Sequence, residues 1–151
     1  YIYILNVRFA GDIHFSKKVE CDVENVRVPS MILQPVVENA VNHGIRNIDW
    51  EGHIDLSVEK WNDHIEISVR DNGLGMTGEQ IQRVLSKKVH SSSGEGDSTG
   101  IGMNNVISRL ELYYERDGLM EIYSEGEGMG TEVVINIPLE RSEKNVQNPD
   151  C

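Results

Sequence analysis

The chain has 151 residues, 38% hydrophobic and 26% charged, with 14 Lys and Arg against 25 Asp and Glu for a net charge of −11. That is the size and make-up of one globular domain. The negative field argues against a duplex nucleic acid as partner, and the absence of any apolar run of about 18 residues argues against a membrane span.

The opening segment, Tyr1 to Phe9, is densely apolar and has no initiator Met or signal-peptide pattern. It reads as the end of a helix arriving from upstream, so the chain is expected to be a piece of a longer protein. Residues 1–12 are taken as this linker, 13–139 as the domain and 140–151 as a polar tail. Ile13 to Cys21 alternates as a strand. The two cysteines, Cys21 and Cys151, make no CxxC or Cys/His cluster, which argues against structural zinc.

Pro29 to His43 reads as a helix with an apolar stripe of Ile32, Val36, Val37, Ala40 and Val41. Pro35 strains an interior position, so it belongs in the opening turns, and Gly44 is the expected stop. Ile54, Leu56 and Val58 alternate, as do Ile65, Ile67 and Val69. With Asn62-Asp63 between them they predict a hairpin. Thr77-x-x-Gln80 is a capping box opening a helix to about Leu85. Ser86 to Thr99 is a polar, Gly- and Ser-containing loop. Gly102 to Glu115 is helical, with Met103, Val106, Ile107 and Leu110 inward and Gly118 as the stop. Leu119 to Ser124 and Glu132 to Ile137 form a second hairpin around Gly126 to Gly130. Paired strands alternating with helices predict an α+β two-layer sandwich, with a mixed, mostly antiparallel sheet carrying its helices on one face.

Three segments carry chemistry, and each has a plainer reading beside it. Asp71-Asn72-Gly73-Leu74-Gly75-Met76 follows a strand. A carboxylate there can accept from the exocyclic amine of adenine, where guanine presents a carbonyl oxygen, and the glycines let a flat ring approach. The plainer reading is a turn with an Asx cap. Thr99-Gly100-Ile101-Gly102-Met103 leads into a helix whose free N–H groups suit a triphosphate, or is simply a loop ending in a cap. On the first helix, Gln34, Glu38, Val41 and Asn42 lie near one face. The oxygens of Glu38 and Asn39 suit Mg²⁺, or the face is a solvated edge. Neither a P-loop nor a Rossmann GxGxxG is present.

Together the three resemble the ATP-binding (Bergerat, GHKL) domain shared by histidine kinases, gyrase B, Hsp90 and MutL: a helix with an Asn, then Asp-x-Gly-x-Gly, a lid, and Gly-x-Gly opening a helix. Gly130-Thr131 resembles its later Gly-Thr element, and the likeness spans roughly Val19 to Pro138. The wording LQPVVENAVNHGI and GIGMNNVISRL resembles sensor histidine kinases of the LytS and YesM type.

The resemblance implies ATP and Mg²⁺ as cofactors. It implies Asn39 as metal ligand and Asp71, with Thr131 helping, as the adenine-amine acceptor. Gly73, Gly75 and Met76 would shape the base pocket, and Gly100, Ile101, Gly102 and Met103 would border the phosphates. Asn42 and His43 would stand where a phosphate-contacting Lys and its neighbour usually do. Gln34 and Glu38 become the catalytic candidates because Pro35 occupies the usual position of an acidic residue or Asn. The lid lacks the family's Phe, and Lys87, Lys88 or His90 could reach phosphates from it.

The implied partners are an upstream histidine-bearing dimerisation domain of the same protein and a response regulator. The parent would be a homodimer in the bacterial cell membrane with this domain in the cytoplasm, and the isolated piece a monomer of little turnover. The alternatives are a GHKL ATPase or anti-sigma-factor-type serine kinase, and a scaffold that no longer binds nucleotide.

Overall fold

The computed structural model describes residues 13–20, 32–46, 48–86 and 99–139, with the side chains of 99–101 left out. The expected linker helix, the start of the first helix, the lid lysines with His90, both cysteines and the tail lie outside these residues.

Five strands form one sheet in the order β1-β2-β3-β5-β4. They are β1 (Ile13–Val19), β2 (Gly52–Lys60), β3 (His64–Asp71), β4 (Met120–Tyr123) and β5 (Thr131–Pro138). The β1–β2 pair is parallel and the other three pairs are antiparallel, so the sheet is mixed and mostly antiparallel, as expected. Both predicted hairpins are present. Their order in the sheet was not legible in the sequence: β5 inserts beside β3 and leaves β4 at the edge.

Alternation decides which face is covered. Ile54 and Leu56 of β2, Ile65, Ile67 and Val69 of β3, and Val133, Ile135 and Ile137 of β5 point to one face and are buried. Among the described residues three α-helices cover that face: α1 (Leu33–Asn39), α2 (Gly78–Leu85) and α3 (Thr99–Tyr114). They contribute Val36, Val37, Val84, Met103, Val106, Ile107 and Leu110 to the same core. The opposite face carries polar pairs such as Asp55↔Arg70 and Arg70↔Glu132.

The helix ends hold two corrections. Gly44 does not stop the first helix. The chain passes from α1 into a π-helical stretch, Ala40–Ile45, closed by Arg46 N–H to the Val41 carbonyl at 2.9 Å. Wide turns of this kind recur at functional sites. Gly118 is not the stop of α3 either. That helix ends at Tyr114, and Glu115 takes the left-handed conformation at φ 55. The capping box opening α2 is present in both directions, with Gln80 N–H donating to Thr77 Oγ1 and Thr77 N–H to Gln80 Oε1.

Candidate functional site

Asp71 is the last residue of β3, flanked by Ile54 of β2 and Thr131 of β5. Its side chain is only 6% exposed. Burial raises its pKa to about 6, against the opposing pull of hydrogen bonds from the Gly73 and Thr131 backbones. One carboxylate oxygen accepts from Gly73 N–H at 2.9 Å, which is the Asx turn of the plainer reading. A surface turn would satisfy that reading. Burial on this scale between two neighbouring strands goes beyond it.

The glycines are required, for a reason the sequence reading did not give. A Cβ on Gly73 would stand 1.9 Å from the Gly44 carbonyl oxygen, and one on Gly44 would stand 2.6 Å from Asp71 Oδ1. Gly75 has φ +75, and a Cβ there would meet the Gly126 carbonyl at 2.1 Å. What approaches these glycines is the protein's own backbone and the Asp71 carboxylate. The π-helical end of the first helix is thus pressed against the strand-end loop, and Leu74 N–H donates to the Gly44 carbonyl at 2.9 Å. Gly44 belongs to the site, and its reading as a helix terminator concealed that.

Two further groups hold the loop: the β4–β5 turn, expected as a turn but not as a support of this loop, and Asn72, which was missed. The β4–β5 turn donates back through Gly128 N–H to the Leu74 carbonyl (2.7 Å) and Gly130 N–H to the Gly73 carbonyl (3.1 Å). Ser124 Oγ accepts from Met76 N–H at 3.0 Å and donates to the Gly130 carbonyl at 2.7 Å. On the other side Asn72 is a clamp. Its Nδ2 donates to the Glu51 carbonyl, its Oδ1 accepts from His53 N–H, and Trp50 Nε1 donates to its carbonyl. Glu51 also pairs with His14, whose ring stacks on His53. The glycine cluster at 126–130 was a visible signal for the turn; nothing local marked Asn72 as a clamp.

On α1, Gln34 Nε2 donates to Glu38 Oε1 at 3.1 Å, so the two catalytic candidates share a face. Val41 does not share it, being 1% exposed in the core. Asn39 Oδ1 is buried without a hydrogen-bond partner among the described residues. Asn42 and His43 are exposed. Thr131 is buried beside Asp71, and Met76 is half-buried against the core. Gly100 and Gly102 lie inside α3, which begins at Thr99, three residues before the expected start. Gly102 packs toward Pro35, which brings the opening turn of α3 against α1. Met103 is 1% exposed and its side chain is part of the core, so packing accounts for it. The side chain of Ile101 is outside the described set. A separate cavity of about 570 Å³ between Leu85, Ile107, Leu110 and Met120 involves none of these residues.

The segment that carries the strand-end carboxylate, its glycines and the two helices matches a known family. Residues 28–141 match the family described as histidine kinase-, DNA gyrase B- and HSP90-like ATPase. The chain belongs to that family. It is 32% identical over 149 residues to the sensor histidine kinase YpdA of Escherichia coli, covering 94% of this chain and 23% of that protein. It is 30% identical over 145 residues to the sensor histidine kinase/phosphatase LytS of Staphylococcus aureus, covering 95% and 24%. The chain therefore spans about a quarter of the length of these relatives. Among solved structures, the catalytic domain of histidine kinase ThkA aligns with a TM-score of 0.65 at 19% identity, covering 91% of this chain and 88% of that one. A mycobacterial sensor histidine kinase, MprB, aligns at 0.62, with 19% identity and coverage of 91% and 88%. These neighbours share the α+β fold of this domain.

Proposed function

We propose that this domain binds Mg-ATP and delivers the γ-phosphate to a histidine on another domain of the same protein, as the catalytic domain of a sensor histidine kinase. Asp71 carries the reading. It is a buried acceptor fixed by the backbones of Gly73 and Thr131, and an amine is the complement it lacks. Adenine supplies that amine, and guanine would set an acceptor against the carboxylate, leaving it unpaired.

Asn39 fits the metal. A buried carboxamide oxygen without a donor is costly, and a hard cation removes the cost. Bound Mg²⁺ would neutralise phosphate charge; Asn39 would hold it from α1. Glu38, oriented by Gln34, is the group on that helix suited to polarise an acceptor. The opening turn of α3 offers free N–H groups to the phosphates. Phosphoryl transfer depends chiefly on positioning and electrostatics, so little turnover is expected without the histidine-bearing domain. That domain, a response regulator, a dimeric parent and a membrane location belong to the same proposal, supported by the likeness to sensor kinases.

Calorimetric titration with a non-hydrolysable ATP analogue tests it. Micromolar binding is expected, about −7 to −8 kcal/mol. Asp71→Ala should weaken it by about 1.5–3 kcal/mol, the scale of a charged hydrogen bond. A folded domain that fails to bind would overturn the proposal.

A further inference from the structure

Two asparagine side chains share an unusual state. Asn39 Oδ1 on α1 and Asn104 Oδ1 on α3 are both buried and have no hydrogen-bond partner among the described residues. Native proteins leave few buried acceptors unpaired, and each such group asks for a missing donor or ion. For Asn39 the family resemblance independently implies a cation. Asn104 shows the same signature at 8% exposure and has no role in the proposed function.

Its position narrows what is missing. Asn104 lies four residues after Gly100 in α3. A helical side chain lies over the turn preceding its own Cα, so this carboxamide leans toward the opening turn. Gly100 puts no side chain of its own on that path. The same turn packs against α1 at Pro35, one helical turn before Asn39. An orphaned acceptor there cannot be satisfied by phosphate oxygens, which only accept. Mg-ATP brings three kinds of donor: the adenine amine, the ribose hydroxyls and the waters Mg²⁺ retains. The amine is matched by Asp71. The opening turn of α3 is the phosphate end of the site, which favours the waters.

We infer that Asn104 is a nucleotide-site residue whose Oδ1 accepts from a water on the phosphate-bound Mg²⁺. This rests on the Mg-ATP reading and adds an outer-shell ligand to it. The test is the Mg²⁺ dependence of analogue affinity, by calorimetry, in wild type, Asn104→Ala and Asn104→Asp. The gain that Mg²⁺ gives wild type should fall roughly tenfold in Asn104→Ala, the usual scale for outer-shell partners. Affinity without Mg²⁺ should be unchanged, and Asp, which keeps an acceptor, should restore the gain. Equal weakening with and without Mg²⁺ would assign the oxygen to the ribose, and no change would make Asn104 structural; either overturns the inference. Should the Ala variant not fold, the side-chain amide signals of Asn104 in wild type decide. They should shift when Mg²⁺ is added to the analogue complex, and fixed signals sink the idea. Loss of all binding in wild type would remove both readings. Asp71-dependent binding with an indifferent Asn104 would remove this one alone.

Discussion

The two ends of the site are built on opposite plans. At the strand end, Gly44, Leu74, Gly73, Gly128 and Gly130 bond backbone to backbone, and the side chains of Asp71 and Ser124 close the remaining bonds. At the helix end, Asn39 and Asn104 hold buried oxygens with nothing to bond among the described residues. The first end is finished before any ligand arrives. On the Mg-ATP reading proposed above, the second is completed by what binds. A base pocket gains from such rigidity, because a preformed acceptor loses no freedom on binding. On the same proposal, hydrated metal and phosphates would bring their own donors and charge to the acceptors of the helix end.

The largest expected effect comes from breaking the finished end. In Gly73→Ala the new Cβ would be 1.9 Å from the Gly44 carbonyl oxygen, and both partners are backbone. No side-chain rotation relieves that, so the loop or the π-helical turn must move. Overpacking usually costs about 1–3 kcal/mol, and this contact should reach at least the upper value. Urea unfolding would measure it. A loss below about 1 kcal/mol would mean that the end is soft, and the contrast between the two ends would fail.

Asp71→Asn comes next, with opposite signs for stability and function. The folded carboxyl titrates at about 6, above its ordinary 3.8. Between these values the folded state holds the extra proton, so stability falls as pH rises through the window. Above pH 6 the buried charge costs about 3 kcal/mol, at roughly 1.36 kcal/mol per pKa unit. Asparagine keeps an oxygen for Gly73 N–H and carries no charge. The variant should therefore be more stable than wild type at pH 7 by up to about 3 kcal/mol, with the gain vanishing near pH 3.5. Analogue binding should weaken, because an amide turned to keep that oxygen on Gly73 presents donors to the adenine amine. Denaturation at the two pH values, with titration at pH 7, tests both halves. Equal stability at both would mean that the carboxylate is solvated.

Much of this was legible in the sequence, and the limits have physical causes. Apolar alternation marked both hairpins, and Thr77 with Gln80 marked the start of α2, because those signals are local. The placement of β5 beside β3 was hidden, since strand order depends on contacts between residues distant in the chain. Asp71 and Asn39 were found as motif residues. Gly44 was misread because a glycine after a helical run has two uses, ending the helix or admitting a close neighbour, and only the neighbour distinguishes them. Asn72 was hidden for the same reason: its partners, Trp50, Glu51 and His53, are some twenty residues away. Nothing local set Asn104 apart from Asn105 beside it; burial without a partner among the described residues singles it out.

The smallest effect tests whether the helix end is open. Gly102 lies in α3 without a positive φ, and among the described residues a Cβ on it would meet only Pro35 Cβ, at an ordinary 3.8 Å. Alanine has the higher helix propensity, by about 0.8–1.0 kcal/mol in an interior position and less near an end. Gly102→Ala should therefore stabilise the domain by up to about 1 kcal/mol, the reverse of Gly73→Ala, although both glycines stand in the glycine motifs of the site. Thermal melting would give the sign. If affinity for the analogue survives, the second glycine of Gly-x-Gly is not needed for space in this chain. If the variant is stable and binding collapses, the methyl group occupies room that phosphate requires, and the opening turn of α3 is as closely fitted to its ligand as the strand end is to itself.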